Sequence, residues 1–435
     1  MFDVDAKSGR IALAFLLIGV VIGAGAGYAF APRPQAPAVS PVLTGQIPIG
    51  VLSSLTGALS SMGFQESTGV QLAAKDVNAF LNESGQKFTI QILQEDDQST
   101  PAGALLALQG LYAKGVQVVI GPSTTSQVAN LRTYADSNHI VLMSPSSTGP
   151  MPRKDYIFRF APTDFYQMRA QARFLWDVGI RYFAIAQVVG QAPEEDVQVL
   201  RNTWSQMGGI SSDPIKYDPS EKEFSTEVLE LNSLVQSAIN QYGKAKVAIE
   251  FVGYEEVAIW LNEAKDYPAL MSVMWISNDG VAQSTVVLQE AGALAARVLL
   301  PCTLFGATNS LKYQNITARL QAATGLFPST YALVAYDELW IIAYALIMTQ
   351  KYDGPTLVQY IPIVADSYFG ASGWTALDMN GDRAFGDYDL WAITINATNG
   401  QPTWTKIASW SAATDTISWT HGVVGLPSNS TLPAS

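Results

Sequence analysis

Apolar residues fall along this chain in short unbroken runs that alternate with stretches of helical spacing. IPIGVLSSL (47–55) predicts a buried strand ending in a Ser/Thr/Gly loop, and Val70, Ala73, Ala74, Val77 and Leu81 predict a helix over Gly69–Leu81. KFTIQILQEDD (87–97) alternates apolar and polar positions and ends in acid. Pro101 opens a helix through Tyr112, VQVVIGP (116–122) is a second strand, Val128–Asn138 a helix and HIVLMSPSS (139–147) a strand. This β-α-β-α-β order indicates a parallel sheet with helices on both faces.

The pattern restarts at Tyr182. YFAIAQVV is a strand, Glu194–Met207 and Phe224–Tyr242 are helices, KVAIEFV (246–252) is a strand, Glu255–Lys265 a helix and SVMWISN (272–278) a strand. Two similar α/β units therefore lie in series. After Ala293 come one more strand (RVLLPCTL), helices near 310–324 and 332–350, and a Trp-rich β ending in which Asn399-Gly400 separates LWAITIN from TWTKIASW as a hairpin turn.

Ahead of the first strand, no charged residue occurs over the 21 positions Ile11–Ala31. About 20 apolar residues span a bilayer core, so this is a candidate transmembrane anchor. Lys7 and Arg10 before the run, with Ala29-Phe30-Ala31 as a small-residue cleavage site, also fit a secretory signal. The run exceeds the roughly 7–15 residues of a signal core, and Pro32 would follow the cut, which favours the anchor over the cleaved signal. Pro32, Pro34, Pro37, Pro41 and Pro48 predict an extended linker. Either outcome places the folded part outside the cytosol, where the sequons at Asn82, Asn315, Asn396 and Asn429 are compatible with glycosylation.

Composition narrows the chemistry. At 435 residues the chain has room for two or three domains of roughly 100–200 residues. Its 48% hydrophobic and 14% charged residues exclude disorder, and a net charge of −12 repels phosphate backbones, which excludes nucleic acid as a partner. Cys302 is the single cysteine and His139 and His421 the two histidines, so neither an intramolecular disulfide nor a Cys/His zinc site can be built. No histidine sits in a catalytic motif. No metal or cofactor is expected, and the composition favours binding over catalysis.

In open α/β sheets, ligands bind beyond the carboxyl ends of the strands. Those ends read Ser53-Ser54-Leu55-Thr56-Gly57, Ser123-Thr124-Thr125-Ser126 and Ser144-Pro145-Ser146-Ser147-Thr148 in the first unit. In the second they read Gly253-Tyr254-Glu255-Glu256 and Asn278-Asp279-Gly280. Hydroxyls and helix-start amides suit a carboxylate, whereas Asp279 suits an ammonium, so an amino acid would satisfy both units. Taken alone, Ser123–Ser126 could merely cap the following helix, and Asp279-Gly280 could be a turn.

At these loops the chain resembles the type I periplasmic-binding-protein-like family, specifically the leucine/isoleucine/valine- and amide-binding receptors of transporters. IPIGVLSSLTG, Asp96-Asp97, VVIGPSTTSQVA, IVLMSPSST, YIFRFAPTD, AYDELWIIAYAL and LDMNGDRAFGDYDL carry the resemblance, in order, through nearly all of 46–395. It implies two doubly wound parallel-sheet lobes joined by three crossovers, expected near Pro162–Asp164, Pro301–Thr303 and Ser372–Leu377. With residues 1–10 as a flank, 11–31 as the anchor or signal and 32–46 as the linker, the first lobe would comprise 47–163 and 303–375. The second would comprise 164–302 and 376–421, followed by a tail, 422–435. The family's site, carried over by position, falls on Ser123, Thr125, Ser146 and Thr148 for the ligand's carboxylate and amine. Tyr254 would close on the ligand, Asp279 would pair with its amine, and Met62 and Phe64 would meet its apolar part. Where the family often has an aromatic after the strand at 182–187, this chain reads Gly190-Gln191-Ala192-Pro193.

The implied function is a membrane-tethered solute receptor that passes a small amino acid-like ligand to the permease of an ABC transporter. A sensory ectodomain is the alternative, but only ten residues precede the apolar segment. An amide hydrolase would need a nucleophile turn, which is missing from the sequence. Asp378-x-Asn380-x-Asp382 resembles half a calcium loop, yet the glycine comes too early and no Glu follows at the twelfth position, so a turn is expected. Asp96 and Asp97 are adjacent on a strand and point to opposite faces, which suits structural acids better than a catalytic pair.

Overall fold

The computed structural model describes residues 42–149, 151 and 156–420. The apolar segment 11–31, the prolines up to Pro41 and the tail 422–435 lie outside the described residues.

The first lobe begins with β1 (Gly45–Ser53), α1 (Ser60–Glu83), β2 (Phe88–Asp96), α2 (Pro101–Ala113), β3 (Val118–Ile120), α3 (Thr125–Asn138), β4 (Val141–Ser144) and β5 (Ile157–Pro162). Helix α1 starts nine residues before the apolar periodicity does. Its first turns bury Ser61, Gly63, Gln65, Glu66 and Ser67 rather than aliphatic residues, so no hydrophobic stripe marks them in the sequence. Thr100 caps α2 by accepting from the Gly103 N–H, with Pro101 as the first helical residue.

The second lobe takes over with α4 (Asp164–Asp177), β6 (Tyr182–Val188), α5 (Gln191–Gln206), β7 (Ile210–Tyr217), α6 (Ser225–Tyr242), β8 (Val247–Val252), α7 (Val257–Ala264), β9 (Met274–Ser277), α8 (Thr285–Val298) and β10 (Cys302–Gly306). The chain returns to the first lobe through α9 (Leu311–Thr324), α10 (Thr330–Thr349) and α11 (Gly354–Ser367), then a short ribbon of β11 (Phe369–Gly370) and β12 (Gly373–Trp374), and β13 (Asp382–Arg383). The strands β14 (Asp387–Ile395), β15 (Pro402–Ser411) and β16 (Thr416–Trp419) end the second lobe, with the expected hairpin between β14 and β15.

The first sheet runs β13-β5-β4-β3-β1-β2, parallel throughout. The second runs β16-β15-β14-β10-β9-β8-β6-β7, parallel from β10 to β7 and antiparallel through the C-terminal strands. Two strand memberships depart from the expected boundaries. Cys302–Gly306, assigned mostly to the first lobe, pairs with β9 and β14 in the second sheet, so the second crossover follows Gly306. Residues Asp382–Arg383, assigned to the second lobe, pair with β5 in the first sheet, so the third crossover lies between Arg383 and Asp387. Both strands are short enough to join either sheet, and their hydrogen-bond partners decide the matter. The first crossover, at Pro162–Asp164, is where β5 hands over to α4.

Among the described residues, α10 is long and apolar enough to cross a membrane, but 72% of its most apolar window is buried. It packs between α1 and α11 as the central helix of the first lobe, which explains an apolar surface all round. The second lobe is centred on an aromatic cluster in which Trp260 meets Tyr217, Phe224 and Phe251 at ring distances of 5.0–5.5 Å.

Candidate functional site

The carboxyl ends of both sheets face one another across a cleft of about 100 Å3. Gly121 brings the β3 loop against the end of β1. Its φ is +107°, and a Cβ there would stand 2.1 Å from the Leu52 carbonyl oxygen, so only glycine fits. The following loop ends in a capping box, with Thr124 accepting from the Gln127 N–H and the Gln127 side chain accepting from the Thr124 N–H. The N–H groups of Thr125 and Ser126, which the helix cannot satisfy internally, stand at the positive end of α3 on the cleft wall.

Seven of the eight expected site residues line the cleft: Met62, Ser123, Thr125, Ser146, Thr148, Tyr254 and Asp279. Phe64 does not. It is 48% exposed, because two residues along a helix turn the side chain about 200° away from Met62. In place of the aromatic often found after the first strand of the second lobe, Val188, Ala192 and Pro193 join Leu59, Met62 and Val252 as an aliphatic wall.

The hydroxyls are committed differently from the expectation. Ser123 donates to Glu66 Oε2 at 2.6 Å and Ser146 to Glu66 Oε1 at 2.5 Å. The Thr148 carbonyl accepts from the Asp164 N–H at 2.9 Å. Thr125 Oγ1 lies 3.1 Å from Ser147 Oγ and accepts from the Gly149 N–H. Glu66 is buried on α1, and burial pushes its carboxyl up to about 7 despite the two serines. Asp96 and Asp97 hold the β1 loop, the first through Thr56 and the second through Ser54.

Three carboxylates meet in the second-lobe wall: Asp164 at the start of α4, Asp196 on α5 and Asp279 after β9. Asp279 accepts a short hydrogen bond from Tyr331 of α10, a contact that bridges the two lobes. Asp164 and Asp196 are both buried, and the charge of Asp164 acts on Asp196 against ionising the two together. Burial, and then the charge of Asp279, pushes Asp164 up to about 7. Burial raises Asp196 well above the usual carboxylate range, with Asp164 adding to it. Among the described residues, no Lys, Arg or His lines the cleft. Asp164, Asp196, Glu66 and Tyr331 were missed in the sequence because nothing in their local patterns separates them from solvated helix ends or core positions.

The lobes are closed in this structure. Ser61 Oγ lies 2.8 Å from Thr285 Oγ1, and Ser60 Oγ reaches Glu255 Oε2 at 3.4 Å. Tyr254 packs against Gly280, where a Cβ would stand 2.7 Å from the ring. Of the calcium-like segment, Asp378 accepts from the Asn380 and Asp382 N–H groups as a turn, and the Asp382 carboxylate pairs with Arg159.

These buried acids make stability depend on pH. Glu66, Asp164 and Glu256 all stand at about 7 because of burial, above the ordinary range of an unfolded carboxyl. The folded state therefore holds protons that the unfolded chain has released. The stability they contribute is present below the unfolded range and is lost as pH rises through about 7. Urea unfolding should show a lower free energy near pH 8 than near pH 5, with a shallower slope in Glu66→Gln, which does not titrate. An unchanged slope in that variant would remove Glu66 from this account.

Two α/β lobes that close over a polar and aliphatic cleft define a bilobal small-molecule receptor. Residues 46–361 match the family model described as Periplasmic binding protein, and the chain belongs to that family. An uncharacterised protein of Methanocaldococcus jannaschii is 29% identical over 398 residues, covering 86% of this chain and 91% of that protein. The Leu/Ile/Val-binding protein homolog 3 of Brucella melitensis is 25% identical over 194 residues, covering 43% of this chain and 51% of its own length. Among solved structures, the branched-chain amino acid transporter substrate-binding protein of Streptococcus pneumoniae, in complex with isoleucine, is similar with a TM-score of 0.69 at 20% identity. That similarity covers 83% of this chain and 99% of that one, and it shows the fold.

Proposed function

We propose that this protein is an extracytoplasmic solute receptor that binds a small amino acid-like ligand between its lobes and delivers it to the permease of an ABC transporter, without turning it over. One arrangement carries the reading: the Asp279 carboxylate faces the N-terminus of α3 across a cleft with an aliphatic wall. An ammonium at Asp279, a carboxylate at the Thr125 and Ser126 N–H groups and a short apolar stem against Met62, Val188 and Val252 would use each part. Relatives named as Leu/Ile/Val-binding proteins and a neighbour in complex with isoleucine support the same class. In this reading Ile11–Ala31 holds the receptor at the membrane.

A thermal-shift screen of amino acids and amides tests the proposal. A ligand at 100 times its Kd should add about 2.7 kcal/mol to folding stability. Consumption of the stabilising ligand in the same mixture would replace the receptor with an enzyme, and an absence of any stabilising amino acid or amide would sink the ligand class.

A further inference from the structure

On the reading that this is a receptor whose lobes open and close, we infer that closure is held by a latch outside the ligand cleft, in which each lobe caps a helix of the other: Ser61 of the first lobe at the start of α8, and Glu255 of the second lobe at the start of α1.

Ser61 forms one half. The N–H groups in the first turn of a helix have no partner within it. In α8, Ser284 meets one of them from its own lobe, accepting from the Val287 N–H at 3.1 Å. The Thr285 N–H donates instead to Ser61 Oγ of α1, 3.2 Å away, and the same oxygen lies 2.8 Å from Thr285 Oγ1. A serine of the first lobe thus acts as a cap on a helix of the second.

Glu255 forms the other half. Helix α1 is 24 residues long, yet its N-cap, Leu59, offers no side-chain acceptor and its first turn holds no acid. The partial positive charge of that terminus is therefore unmet from within its own segment. Glu255, between β8 and α7, brings a carboxylate to it, with Oε2 accepting from Ser60 Oγ at 3.4 Å. Its Oε1 accepts from Ser284 Oγ at 2.7 Å, so one carboxylate stands between two helix starts, one from each lobe. Ser61, Glu255 and Ser284 are all buried, where hydrogen bonds gain strength from the lower dielectric.

Neither Ser60, Ser61, Glu255, Ser284 nor Thr285 lines the ligand cleft. The latch therefore stabilises the closed form equally for every ligand, and it populates that form before a ligand arrives. Selection among ligands is left to the cleft.

Pulsed electron-electron resonance on the full-length chain in detergent, dialysed free of solutes, reads this without any ligand. Spin labels at Gln109→Cys on α2 and Gln236→Cys on α6 report the distance between the lobes; both positions are exposed, and Cys302 is buried. The labelled protein should show a short, closed distance beside a longer one. Ser61→Ala should lower the closed-to-open ratio by roughly fivefold, the usual effect of losing a helix cap. Alanine favours a helix, and a melting curve confirms that the variant is folded. Thr285→Ala should lower the ratio from the other lobe, and the double change should match Ser61→Ala alone, because both remove one contact. If Ser61→Ala does not fold, Thr285→Ala decides. An open distance alone in the unaltered protein, a ratio unchanged in the folded variants, or losses that multiply in the double change would each overturn the latch. None of these outcomes touches the receptor reading, which the ligand screen decides separately.

Discussion

Arg159→Ala should destabilise the protein by about 3–5 kcal/mol, the usual result of removing one partner from a buried ion pair. Arg159 Nε and Nη2 hold the two Asp382 oxygens at 2.6 and 2.7 Å, and the two side chains are 2% and 8% exposed. Alanine would leave the Asp382 carboxylate buried without its counter-charge. The arginine also donates to the Gly149 carbonyl, next to the loop that carries Ser146 and Thr148. It therefore ties β13 to β5 and holds one wall of the cleft in place. Denaturant unfolding should show the loss, and ligand affinity should fall with it. The double change Arg159→Met with Asp382→Leu should lose less than either single change, because no charge is then stranded. A loss below about 1 kcal/mol for Arg159→Ala would mean that solvent reaches the pair after all.

Asp279→Asn should weaken an amino acid ligand by roughly tenfold or more, since a charge-assisted hydrogen bond is worth about 1.5–3 kcal/mol. Stability should not follow affinity downward. Asparagine can still accept from Tyr331, and removing one negative charge relieves the repulsion that Asp164 and Asp196 feel from Asp279. Asp279 is 7% exposed and linked to the opposite lobe. Titration of both proteins with an amino acid and with a neutral amide separates charge from shape, because only the amino acid should lose affinity. Equal amino acid affinities in the two proteins would take Asp279 out of the site.

Much of the cleft was legible in the sequence because strand ends are legible. Apolar runs such as VQVVIGP and SVMWISN mark where buried strands stop, and the polar residues just beyond them necessarily lie at the carboxyl edge of a sheet. Six of the eight expected residues reach the cleft for that reason, and Met62 reaches it from α1. Phe64 was the exception because its placement depends on helix phase, and α1 begins in a stretch of small and polar residues where no periodicity reveals the phase.

Local pattern alone determined the α/β class, the two lobes in series and the loops that form the site, because burying a run of β-branched residues demands a sheet wherever it occurs. Tertiary structure decided which sheet Cys302–Gly306 and Asp382–Arg383 join, since a short strand is assigned by the partner it pairs with. It also decided where the hydroxyl protons go. Glu66 is distant in sequence from the loops it serves, and only folding brings it within reach of Ser123 and Ser146. The acidity of the cleft has the same origin. Asp164, Asp196 and Asp279 come from three separate elements, each unremarkable in its own segment, and their mutual repulsion exists only once the lobes place them side by side away from water.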